Sequence, residues 1–67
     1  MPPREKTEID LLPYQIKLKL DDAIRHEDMA RKATDFRDRL WHEDQSRLRF
    51  DQAFWLEKRL DFLRAGL

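Results

Sequence analysis

The chain has 67 residues, with 14 Lys and Arg balanced by 14 Asp and Glu, three Pro, one Gly and no Cys. A core of that size rarely supplies more than about 3–5 kcal/mol without a staple, and the lack of Cys excludes both a disulfide and a thiolate metal site, which leaves oligomerisation or a partner. Zero net charge removes the positive field by which most nucleic-acid binders gather phosphate, and no apolar run approaches the ~20 residues needed to span a bilayer.

In chain order, residues 1–6 carry two prolines and mixed charge with nothing to bury, and are expected to form a flexible tail ahead of a single helical domain, 7–67. The opening decapeptide has neither an apolar h-region nor a cleavage site, so a cytoplasmic protein is expected. Thr7 and Asp10 have the spacing of a capping box. Pro13 lacks the helical donor and clashes with the carbonyl four residues back, which predicts a short turn and a restart near Pro13.

Residues 14–20 can be read in two periods. Tyr14, Ile16, Leu18 and Leu20 alternate with polar residues as in a half-buried strand, while Leu12, Ile16, Leu20 and Ala23 have helical spacing. A lone strand would have no partner in this chain, so a helix is expected. From Asp21 to Leu40 the acids Asp21, Glu27, Asp28 and Asp35 each precede a base by four residues, the order that supports an exposed helical face. Met29, Ala33, Phe36 and Leu40 form a narrow stripe at coiled-coil spacing.

That stripe breaks at Glu43 and Arg47, whereas Ala53, Leu56, Leu60, Leu63 and Leu67 form another in a different phase. The polar segment between them, 42–46, offers Asp44 and Ser46 as caps, so a hairpin turn is predicted there in preference to one continuous helix of ~50 residues. The final segment, 47–67, is apolar over more than half its girth and therefore needs more than one neighbour, with Trp55 and Leu56 expected in the core. Gly66 is placed to end it in a left-handed conformation that would fold Leu67 back on Phe62.

A short repeat at an offset of sixteen pairs Asp22, His26, Glu27, Asp28 and Arg31 with Asp38, His42, Glu43, Asp44 and Arg47. Each Asp/His pair shares a helical face, yet two ligands per copy do not make a metal site, and a surface hydrogen bond accounts for the spacing. Asp38, His42 and Ser46 have triad residue types, but a helical surface lacks the pocket and oxyanion donors a triad needs. No Gly-rich phosphate loop exists, since the one glycine is penultimate. No catalytic, cofactor or metal residues are therefore assigned.

The aromatics have two readings, helix-packing core and binding face, because a two-helix hairpin cannot surround them all. Trp41, Leu48, Phe50, Phe54, Trp55 and Phe62 are the candidate partner-binding or oligomer-interface residues. The alternative function rests on residues 14–20 as a strand with Gln15, Lys17 and Lys19 outward. Followed by two helices, it resembles in outline the ribbon-helix-helix repressors, which implies DNA readout by paired strands. The primary expectation is an all-α helical hairpin that dimerises into a four-helix bundle. It would be a non-enzymatic protein–protein interaction module, an adaptor or inhibitor whose partners are a second copy of itself and a larger protein, without nucleic acid or membrane.

Overall fold

The computed structural model describes residues 4–66 as two α-helices, α1 (Arg4–Lys32) and α2 (Phe36–Ala65), joined at residues 33–35. Its principal extents of 50 × 19 × 12 Å are those of two rods of about 45 Å lying antiparallel side by side. The chain is thus a helical hairpin, and no strand is present among the described residues. Residues 14–20 are helical, so Gln15, Lys17 and Lys19 spread over roughly 200° of the helix and share no edge. The strand required by the ribbon-helix-helix resemblance is not formed.

Chemistry local to residues 31–38 accounts for the turn. Arg31 and Lys32 complement the negative end of α1, and Asp38 complements the positive start of α2. Between them Asp35 takes an extended conformation and its Oδ1 accepts from the Arg37 N–H at 3.1 Å, capping α2. The predicted turn at 42–46 is corrected by this arrangement: those residues lie inside α2, and Asp35, not Asp44 or Ser46, is the cap. A single continuous helix is corrected at the same point.

The two helices meet along a seam of seven-residue period. Ile9, Leu12, Ile16, Ala23, His26 and Ala30 line it from α1, and His42, Ser46, Arg49, Ala53, Leu56, Leu60 and Leu63 from α2, each buried or half-buried. Its composition changes along its length. Toward the open end it is aliphatic, with Leu12, Ile16, Ala53 and Leu60 buried together against Ile9, Leu20, Leu56 and Leu63. Toward the turn it is small and polar, and Ser46 Oγ–H donates to the Ala23 carbonyl at 2.9 Å, a contact only small side chains permit.

Polar seam residues explain the misplaced turn. Extending the stripe Ala53, Leu56, Leu60 and Leu63 backward in its own phase reaches Arg49, Ser46 and His42, so the polarity of 42–46 marks seam rather than loop. The stripe Met29, Ala33, Phe36 and Leu40 is likewise corrected, because Met29, Phe36 and Leu40 are exposed and Ala33 lies in the turn. Trp55 is also outside the core, at 69% exposure, while Leu56 is half-buried in the seam as expected.

Both ends of the chain differ from expectation. Helix α1 passes through Pro13 without a break; Pro13 is exposed, so the carbonyl deprived of its bond is on the solvent side, where water can satisfy it. It begins at Arg4, so residues 4–6 of the expected tail are helical, and residues 1–3 lie outside the described residues. At the other end Gly66 is right-handed, with φ −78°, and its N–H bonds to the Phe62 carbonyl at 3.2 Å. The left-handed ending is corrected, since that bond continues the helical path; Leu67 lies outside the described residues.

Three outcomes are expected for stability in urea titrations. Leu60→Ala is expected to cost on the order of 2–5 kcal/mol, enough to unfold a chain of this size, while Lys32→Ala loses only the exposed 3.0 Å pair with Asp28 and shifts stability by less than about 0.5 kcal/mol. Ser46→Leu, although it makes the seam more apolar, is expected to destabilise by about 1–3 kcal/mol through overpacking against Ala23.

Candidate functional site

The hairpin divides the six candidate interface residues between its two sides. Trp41, Leu48, Trp55 and Phe62 recur at seven, which keeps them on one stripe of α2, turned roughly 80–140° from the seam. They are 55%, 44%, 69% and 72% exposed, the last two being among the most exposed large side chains of the molecule. Phe50 and Phe54, also exposed, lie on the opposite side of the seam.

Two open grooves between the helices mark these sides. One is lined by Gln15, Leu18, Lys19, Asp22, Arg25 and Leu56, on the side of the aromatic stripe. The other is lined by Glu27, Glu43, Ser46, Arg47 and Phe50. Leu11 and Leu18, exposed two turns apart on α1, add apolar surface at the first groove. Phe54 meets Trp55 edge-on at 5.6 Å and carries the Lys58 ammonium 5.2 Å above its ring, so its surroundings are partly polar.

Polar contacts on the stripe side fix the register of the hairpin. At the open end Arg59 forks onto Glu8, with Nε–Oε1 at 2.9 Å and Nη2–Oε2 at 3.3 Å. Nearer the turn Arg49 Nε donates to Asp22 Oδ2 at 2.8 Å. The hydrogen bond from Arg49 lowers the Asp22 pKa, opposed by partial desolvation and assisted by the charges of His26, Arg49 and Arg25. Glu8 is lowered by its hydrogen bond from Arg59 in the same way.

The sixteen-residue offset of the Asp/His repeat acquires a meaning once the turn is at 33–35. It sets His26 and His42 on opposite helices with their Nδ1 atoms 3.0 Å apart and their ring centroids 5.2 Å apart, and Trp41 closes on both edge-to-face. Such a contact needs one N–H donor and one lone pair, so it cannot hold with both rings protonated. The rest of the repeat does not converge: Asp22 sits 4.0 Å from His26 Nε2 but pairs with Arg49, and Ser46 is spent on the Ala23 carbonyl. No group of three or more His, Cys, Asp or Glu is placed to hold a metal among the described residues. No helix among them is long and apolar enough to cross a membrane.

What the sequence reading missed is the pairing of His26 with His42 and of Asp22 with Arg49, both of which depend on where the turn falls. The signal that could have found it is the cap itself, Thr34-Asp35 ahead of Asp38, following a basic Arg31-Lys32. Fold and site together define a two-helix hairpin with an outward aromatic stripe. No protein-family model, curated protein or solved structure matches the chain.

The acid dependence of folding has a definite sign. Asp22 and Glu8 have depressed folded-state pKa values, so their contribution is present above the ordinary values of 3.8 and 4.5 and is lost as pH falls through the lower folded ones. Helix content measured by circular dichroism against pH is expected to decline through that acid range. Asp22→Asn is expected to be less stable than the parent at neutral pH and to lose less on acidification.

Proposed function

We propose that this protein is a small cytoplasmic, non-enzymatic interaction module that self-associates through the Trp41–Leu48–Trp55–Phe62 stripe, two hairpins packing as a four-helix bundle. The observation that carries this reading is the outward stripe. Three of the larger apolar residues, Leu12, Ile16 and Leu60, are buried, whereas both tryptophans and Phe62 stand in water. A stripe of this kind exceeds the scattered apolar residues of an ordinary surface, and Trp is among the residues that most often dominate interface energies. Burying it against a second copy also supplements a core too small to stand alone.

The same reading gives the opposite side, with Phe50 and Phe54, to a larger protein that the module tethers or inhibits. Coiled-coil-like packing of the seam supports it, since a hairpin held along one seam leaves both flanks free. DNA readout lacks the strand it would require. Duplex-binding titrations at low and moderate salt are expected to detect no sequence-selective complex, and Lys17→Ala with Lys19→Ala to leave the fold unchanged.

Sedimentation equilibrium at micromolar concentration tests the proposal. A dimer is expected, and Trp55→Ser is expected to weaken it by about thirtyfold or more, corresponding to about 2 kcal/mol, at unchanged helix content. A folded monomer at these concentrations would overturn it.

A further inference from the structure

Resting on the self-association proposed above, we infer that the two copies pack antiparallel through this stripe, about a two-fold axis that passes between Leu48 and Trp55 at the level of Asp51 and Gln52. Trp41 then lies against Phe62 of the second copy, and Leu48 against its Trp55.

The charges that border the stripe set this orientation. Three residues after Trp41, Leu48 and Trp55 come Asp44, Asp51 and Lys58, which form one edge; four residues after them come Gln45, Gln52 and Arg59, which form the other. At the start of α2 the first edge begins with Arg37 and the second with Asp38; from Asp44 onward the first edge runs from acidic to basic.

An isologous pair of helices has two ways to meet. In the antiparallel one like edges face each other with direction reversed. Asp44 of each copy then meets Lys58 of the other, twice over, while Gln45 meets Arg59 and Gln52 meets Gln52. The one unfavourable contact is Asp51 with its own counterpart on the axis. In the parallel one unlike edges face each other at the same level. Lys58 then meets Arg59 twice and Arg37 meets Asp38 twice, while the pairs Asp44 with Gln45 and Asp51 with Gln52 bring no opposite charges together. Two attractions against one repulsion therefore compete with two attractions against two repulsions, and the balance favours the antiparallel arrangement.

The chain has no Cys, so introduced thiols report orientation directly. Residues 44 and 58 of one helix are about 21 Å apart along its axis, far beyond disulfide reach, and come together only between antiparallel copies. Under oxidation, a mixture of Asp44→Cys and Lys58→Cys chains is expected to give a cross-linked heterodimer, with neither variant cross-linking alone. A mixture of Asp44→Cys and Gln45→Cys chains is expected to give none. Independently, Asp51→Asn removes the repulsion on the axis and is expected to tighten the dimer, by up to about fivefold.

Cross-linking of the 44/45 mixture in place of the 44/58 mixture would overturn the antiparallel arrangement while leaving self-association intact. A dimer by sedimentation that cross-links in neither mixture would place the interface on another face and overturn it too. A monomer by sedimentation would remove the self-association on which it stands. Circular dichroism of each variant confirms that the exposed substitutions leave the helices formed.

Discussion

Two helices share a single seam, and a single seam covers one stripe of each. Every other feature of this molecule depends on that constraint. Helix α2 is apolar around more than half its circumference, so when Ala53, Leu56, Leu60 and Leu63 turn inward, Trp41, Leu48, Trp55 and Phe62 must turn outward. The chain thereby places its smaller and aliphatic side chains between the helices and its largest aromatic ones in solvent. In a protein whose only cover is itself, that is the reverse of what burial favours.

The seam is held by two kinds of interaction along its length. Near the open end it is hydrophobic burial of Leu12, Ile16 and Leu60, sealed by the Glu8–Arg59 fork. Near the turn, where Ala23, Ala30 and Ser46 bring the helices close, apolar area is scarce and directional contacts take over: Ser46 to the Ala23 carbonyl, Arg49 to Asp22, and His26 to His42. These contacts are geometrically demanding and so specify register, which a run of alanines alone would leave free to slide. The aromatic stripe thus sits on a helix whose rotation about its axis is fixed from within.

Much of the architecture was legible in the residues, and each failure has its own physical cause. The helical character of 14–20 and the inward stripe from Ala53 to Leu63 followed from apolar periodicity, whereas the hairpin was expected from a change of phase whose first stripe, Met29 to Leu40, is not seam. The turn was misplaced because the reading took a seam to be apolar, and here His42, Ser46 and Arg49 are seam. Pro13 was read as a break because sequence cannot tell which side of the helix its missing bond faces, and Gly66 as a left-handed end because glycine permits that conformation without requiring it. The six candidate interface residues were recognisable as surplus apolar surface. The spacing of seven that joins Trp41, Leu48, Trp55 and Phe62 was legible as well, but that this stripe turns away from the seam could not be read before the turn was located.

The account stands on the tryptophans being exposed in the single hairpin and covered on association. Acrylamide quenching of tryptophan emission across a dilution series measures this directly. Strong quenching at high dilution that weakens as the protein concentrates is the predicted result, with the change following the dimer fraction. Weak quenching of a monomer at every concentration would contradict it, since Trp55 would then be buried within the hairpin itself; so would strong quenching that persists in the dimer.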